Sequence, residues 1–157
     1  MSTPEFPAES SVPAPSQLAS WGQRAAGFII DYAPIWILQI IVRRSALSML
    51  VSLVGIAYLA YLGHLEGTTG QTPGKAMMGL RLVNRDGEVI GSGAGIGRKF
   101  LHIIDSMVLF LGWLLPLVDS KRQTIADKIM STFVVTGLEK KSFSVDLWKP
   151  PAQQTTP

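Results

Sequence analysis

The stretch Ala25-Ala26-Gly27-Phe28-Ile29-Ile30-Asp31-Tyr32-Ala33-Pro34-Ile35-Trp36-Ile37-Leu38-Gln39-Ile40-Ile41-Val42 decides the fold class. Its 18 residues are apolar and just long enough to cross a bilayer as a helix, which takes about 17–25. It stops at Arg43-Arg44. A second stretch of 18 residues, Ala46 to Gly63, carries no charge. The turn between the two is so short that they must form an antiparallel helical hairpin. Ser48, Ser52 and Gly55 share one face of the second helix. Small residues at that spacing let helix backbones approach closely.

Outward from the hairpin, a third apolar stretch runs from Phe100 to Val118 and contains His102, Asp105, Trp113 and Pro116. It either crosses the membrane or kinks at Pro116 and re-enters. If it crosses, Lys and Arg divide almost evenly between the two sides. If it re-enters, only Arg43 and Arg44 stand on the far side. That second arrangement obeys the positive-inside rule. It would also let a strand near Val83 pair with one near Val134.

The intervening segment, residues 64–100, is polar and glycine-rich. Leu80–Val83, the turn Asn84-Arg85-Asp86-Gly87 and Glu88–Ile90 read as a short β-hairpin. Gly91, Gly93, Gly95 and Gly97 read as a flexible approach to the next helix. Residues 1–20, with Pro4, Pro7, Pro13 and Pro15, read as a disordered tail. Glu5 and Glu9 stand where a signal peptide would carry basic residues. The membrane domain is expected over 21–137 and a flexible C-terminal tail over 138–157. The fold class is thus an all-α membrane protein, with a hairpin, a third transmembrane or re-entrant helix, and a short β-hairpin in the polar loop.

Composition agrees. Of the 157 residues, 47% are hydrophobic and only 16% charged, against about 25% charged in a soluble domain. With no cysteine, neither a disulfide nor a thiolate metal site can form. The formal net charge of +3 does not point to nucleic acid. The cations flank apolar blocks, where topology and anionic lipid explain them. Arg81, Arg85, Arg98 and Lys99 are read in this way.

An intramembrane carboxylate is costly and marks a candidate site. Asp31 is therefore the first candidate ion- or proton-binding residue. Pro34 cannot donate to the Ile30 carbonyl, which leaves a carbonyl oxygen beside the Asp31 carboxylate. The alternative is structural, with Asp31 protonated or paired to Arg98, Lys99 or a hydroxyl. Asp105 and His102, three residues apart, are further candidates, either as a relay or as a local hydrogen-bonded pair. Two such residues do not make a metal site. Arg24 lies two turns from Asp31, about 10 Å along the axis, too far for direct pairing. It is expected to snorkel to the interface beside Trp21. Thr124-Ile125-Ala126-Asp127 fits a capping box, with Thr124 at N-cap and Asp127 at N3. An Arg24–Asp127 contact is open to them if both lie on one side.

Three blocks stand out: Arg24-Ala25-Ala26-Gly27-Phe28-Ile29-Ile30-Asp31, Gly70-Gln71-Thr72-Pro73-Gly74-Lys75-Ala76-Met77-Met78-Gly79-Leu80-Arg81-Leu82-Val83, and Lys121-Arg122-Gln123-Thr124-Ile125-Ala126-Asp127-Lys128-Ile129-Met130-Ser131-Thr132-Phe133-Val134-Val135. Together they resemble the RDD family of small prokaryotic membrane proteins. The resemblance covers about residues 21–136 and places the family's arginine and two aspartates on Arg24, Asp31 and Asp127. It implies a multi-pass protein of the plasma membrane. Transport of ions or small ligands is the activity suggested for the family.

Other motifs fail. Gly74-Lys75 lacks a P-loop's first glycine, since Thr69 stands there, and Ala76 replaces its Ser or Thr. The glycines of 91–97 do not complete G-x-G-x-x-G. No catalytic residue, cofactor or metal is implied, and an enzyme is not expected. Two functions remain. One is a transporter of a cation or small solute coupled to protons, with Asp31 at its centre. Three short helices cannot enclose a pathway, so it would be a homo-oligomer. The other is a non-transporting scaffold or anchor that binds a protein partner through the polar loop and the C-terminal tail. Either way the bilayer is a partner and nucleic acid is not.

Overall fold

The computed structural model describes residues 13–107 and 111–149. Two long helices dominate it, α1 (Trp21–Val42) and α2 (Leu47–Thr69). Both are long and apolar enough to cross a bilayer. Only 11% of the apolar window of α1 and 17% of that of α2 is buried within the chain. Ile37, Ile40, Ile41, Met49, Leu50 and Leu53 all point outward. Apolar surface turned outward over helices of this length fits lipid rather than water.

The N-terminus of α1 is fixed by a capping box: Ser20 accepts from the Gln23 backbone N–H, and Gln23 accepts from the Ser20 N–H. The helix stays continuous through Pro34. The Tyr58 hydroxyl donates to the Asp31 backbone carbonyl at 3.0 Å, so the polar backbone near the proline is served from α2. The small-residue face of α2 meets α1 as expected. A Cβ on Gly55 would lie 3.4 Å from Ile35, and Gln39 donates to the Ser48 hydroxyl at 3.2 Å.

After α2 come a short helix α3 (Pro73–Met77), a strand β1 (Arg81–Val83) and a third long helix α4 (Ser92–Met107). Helix α5 (Leu111–Leu114) runs into a 3-10 turn (Leu115–Leu117). Together they bend away from α4 by 105°. A short helix α6 (Ile125–Met130) and a strand β2 (Phe133–Val135) follow. The chain from α6 onward returns to the end of the hairpin that carries Arg24, because β2 pairs antiparallel with β1, Leu82 opposite Val134. This is the strand pairing that the re-entrant arrangement allows.

Three expectations are corrected. The turn at 84–87 forms, with the Asn84 N–H donating to the Glu88 carbonyl at 2.9 Å, but residues 88–90 are not a strand. The partner of β1 is β2, whose three residues are all buried and so cover an apolar face. The glycines at 92–97 are not a flexible approach, since α4 already begins at Ser92. Finally, the chain just before α1 is not loose: Leu18 bridges to Val135, and Leu18 and Ala19 are buried beneath the two strands. Residues 1–12 of the expected tail lie outside the described residues.

The expected C-terminal tail is anchored as far as the described residues extend. The Lys141 N–H donates to the Ala76 carbonyl at 3.0 Å, and the Trp148 indole N–H donates to the Tyr58 hydroxyl at 3.0 Å. Residues 150–157 lie outside the described residues. The result is two bodies of opposite polarity logic. The hairpin shows its apolar side chains outward, while a small cap of β1, β2 and residues 18–19 buries them.

Candidate functional site

A network of buried charge joins these bodies. Glu66, in the last turns of α2, is fully buried and accepts ion pairs from three cations: Lys75 of α3, and Arg98 and Lys99 of α4, at 3.1 and 3.0 Å for the latter two. Arg98 is a bridge. Its Nε donates to Asp127 Oδ1 at 3.0 Å while its Nη1 pairs with Glu66. Asp127 also receives Arg24 from the first turn of α1. Cations from α1, α3 and α4 therefore meet on two carboxylates, one from α2 and one from α6.

Local sequence explains why these groups reach each other. Helices α2 and α4 touch backbone to backbone: a Cβ on Gly95 would lie 2.2 Å from the Gly63 carbonyl and 2.6 Å from the Gly67 Cα. A Cβ on Gly67 would lie 2.1 Å from the Gly91 carbonyl. Close approach of small residues is how membrane helices associate. It places Glu66 directly against Arg98 and Lys99. Asp127 is held by the capping box expected from sequence: Thr124 accepts from the Asp127 N–H at 3.2 Å, and Asp127 accepts from the Thr124 N–H at 3.1 Å.

Asp31 stands apart from this network and is buried. Its Oδ2 accepts from the Thr72 hydroxyl at 2.5 Å and its Oδ1 from the Gly74 backbone N–H at 2.7 Å. Both donors belong to the Thr72-Pro73-Gly74 turn that opens α3. The turn comes this near because Gly27 and Gly74 face each other, and a Cβ on Gly74 would lie 2.0 Å from the Gly27 carbonyl. The hydroxyl partner left open for Asp31 by the sequence is thus Thr72. Arg98 and Lys99 pair with Glu66 instead. Asp105 and His102 form the local pair, His102 Nδ1 to Asp105 Oδ2 at 2.6 Å. The other Asp105 oxygen accepts the Ile125 N–H at 2.9 Å, at the start of α6.

Three sequence expectations change. Arg24 does not snorkel; it donates to Asp127 and to the Arg122 carbonyl at 2.6 Å. Arg98 and Lys99 are not headgroup cations of an exposed loop, because both are buried. Glu66 was not a candidate at all. Its signal was an acid one residue before Gly67, at the end of a charge-free helix, with Gly63 and Gly67 marking a packing face. Among the described residues, no three His, Cys, Asp or Glu side chains come together as a metal site.

Outside the membrane helices, two groups show how this setting acts on protonation. Burial opposes the charge on Asp127, but Arg24 and Arg98 overrule it and hold the carboxyl well below the usual carboxylate range. Burial, joined by repulsion from Lys99 and Arg98, pushes the Lys75 ammonium down to about 8 against the pull of Glu66.

A cavity of about 40 Å³ opens beside the network, lined by Arg24, Asp31, Tyr32, Lys75, Arg98 and Lys99 among others. A larger apolar groove of about 410 Å³ adjoins it, walled by Trp21, Phe28, Trp36 and Trp113.

Residues 18–131, which include Arg24, Asp31 and Asp127, match the RDD family. The chain belongs to the RDD family. It is 44% identical over 71 residues to a proline-rich antigen homolog of Mycobacterium tuberculosis, covering 45% of this chain and 30% of that protein. It is 43% identical over 68 residues to the proline-rich antigen of Mycobacterium leprae, covering 43% of this chain and 27% of that protein. It is 35% identical over 64 residues to YxaI of Bacillus subtilis, an uncharacterised protein, covering 41% and 42%. The matched region thus spans less than half the length of each of these relatives. No solved structure matches. As an RDD protein with two apolar helices of spanning length, the chain is a membrane protein.

Proposed function

We propose that this RDD protein is a non-enzymatic, multi-pass module of the plasma membrane whose buried carboxylates clamp its polar cap onto the helical hairpin. The observation that carries this reading is that both Asp31 oxygens are engaged within the chain. Each accepts a short hydrogen bond from a fixed donor, Thr72 or Gly74. Glu66 and Asp127 are likewise paired with cations of the same chain. A carboxylate that is to take up and release a cation would have to exchange such partners, and these are built into the fold. On this reading the parts left for a protein partner are the exposed turn around Asp86 and the segment 139–141. They belong to the polar loop and the C-terminal tail.

A second reading, cation exchange against protons in a homo-oligomer, has one observation in its favour. Asp31 lines the 40 Å³ cavity together with Lys75, whose ammonium titrates at about 8.

The experiment is proton movement driven by Na⁺, K⁺ or Li⁺ in proteoliposomes, with the native chain and Asp31→Asn at matched incorporation. The module reading expects no flux from either, and a lower melting temperature for Asp31→Asn. Flux from the native chain that vanishes in a folded Asp31→Asn would establish exchange and end the module reading.

A further inference from the structure

The cavity and the groove are neighbours with a common wall. Arg24, Phe28 and Trp113 line both. The groove is almost wholly apolar and open to the outside of α1, where Trp21 and Trp36 are exposed. Its volume is in the range of about 300–1,000 Å³ that holds a sizeable ligand. The cavity at its inner end is lined by four cations and one carboxylate, and that carboxylate, Asp31, is already hydrogen-bonded on both oxygens. Glu66 and Asp127 stand behind the cations and do not line it.

The cations have unspent capacity. An ammonium carries three donors. Among the described residues, Lys75 and Lys99 each pair only with Glu66, yet both side chains are largely buried. A cavity of about 40 Å³ exceeds the roughly 10–15 Å³ that one water needs, so it has room for more than one oxygen-sized group.

We propose that this site takes an anionic phospholipid, with an acyl chain along the Trp21–Trp36–Trp113 groove and its phosphate oxygens against Arg24, Lys75 and Lys99. Charge complementarity at one end and apolar surface along the rest match the two ends of one molecule. The inference goes beyond the module reading and does not depend on whether ions cross.

The test is native mass spectrometry and thermal unfolding of the full chain in neutral detergent. Phosphatidylglycerol, phosphatidylcholine and inorganic phosphate are added one at a time. Phosphatidylglycerol is expected to bind one-to-one, to raise the melting temperature, and to bind at least about tenfold tighter than phosphatidylcholine. Inorganic phosphate is expected to do neither. Equal binding of the two lipids overturns the proposal. Stabilisation by inorganic phosphate without lipid retention also overturns it, and assigns the cavity to a free anion.

Variants localise the effect. Lys99→Gln, which leaves Glu66 two other cations, is expected to abolish the preference for phosphatidylglycerol. Trp36→Leu, outside the charge network, is expected to weaken both lipids without changing the melting temperature of the lipid-free chain. Arg43→Gln, at the far end of the hairpin, is expected to change nothing. Undiminished binding in Lys99→Gln and Trp36→Leu, or a loss in Arg43→Gln, overturns the site. Flux is not read in this experiment, so its failure and that of the module reading are separate results.

Discussion

Arg24, in the first turn of α1, closes on Asp127, the N3 residue of α6, across 103 positions of sequence. Two of the three residues singled out by the family resemblance, Arg24 and Asp127, therefore form one ion pair. Arg98 shares the same carboxylate, so Asp127 holds a membrane helix, α4 and α6 together.

Asp127→Asn takes the charge partner from Arg24 and leaves Arg98 with Glu66 alone. Removing one side of a buried pair costs about 3–5 kcal/mol. The expected result is loss of that much stability in denaturant titration of the detergent-solubilised chain. Arg24→Met is expected to cost less, because Arg98 still neutralises Asp127. Equal losses would show that Arg98 does not share the load.

Thr72 serves two partners, donating to Asp31 and accepting the Lys75 N–H at 3.3 Å as the N-cap of α3. Loss of a cap costs about 0.5–2 kcal/mol, and a buried carboxylate left short of a donor adds about 1–3 kcal/mol. Thr72→Val should destabilise within the sum of those ranges, and Thr72→Ser should restore most of it. A Thr72→Val chain as stable as the native one would remove the clamp from Asp31.

Glycines separate into two classes by space. Gly74→Ala and Gly95→Ala drive a Cβ to 2.0 and 2.2 Å from backbone oxygens of the facing helix. Both should destabilise by at least the 1–3 kcal/mol typical of overpacking and pull the charge network apart. Gly97 meets nothing within 4 Å. Gly97→Ala should be neutral or gain up to about 1 kcal/mol of helix propensity. Melting curves of the three variants decide it.

pH acts through two groups of opposite sign. The Asp127 carboxyl is depressed in the folded chain. Its contribution is complete above the unfolded value of about 3.9 and is lost as pH falls below that. The Lys75 ammonium is also depressed, to about 8. There the unfolded chain binds the extra proton between pH 8 and its own value of about 10.4, so stability rises with pH across that window. Lys75→Met should flatten the alkaline rise. An unchanged alkaline slope would mean that Lys75 titrates normally.

Sequence revealed what depends on one segment at a time. The two spans followed from length and hydropathy, and the Thr124–Asp127 capping box from spacing. The family resemblance followed from three local blocks. The charge network was hidden because its members sit at 24, 66, 75, 98, 99 and 127, on elements whose adjacency no local pattern encodes. Glycine misled most: Gly91 to Gly97 can mean freedom of the chain or a surface for close contact, and only the facing Gly63 and Gly67 decide between them. Two partners were open to β1 for a related reason. Residues 88–90 are nearer in sequence but include Glu88, whereas Phe133–Val135 brings three buried side chains.

The return of β2 to β1 sets an order of synthesis. Leu18, Arg24 and Arg81–Val83 are all made before α6 and β2, and each waits for a partner there. A nascent chain that stops at Val118 has its hairpin but neither Asp127 nor Val135. The cap is thus completed only once α6 and β2 have been made, so the contacts of Asp127 and Val135 are among the last of it to form.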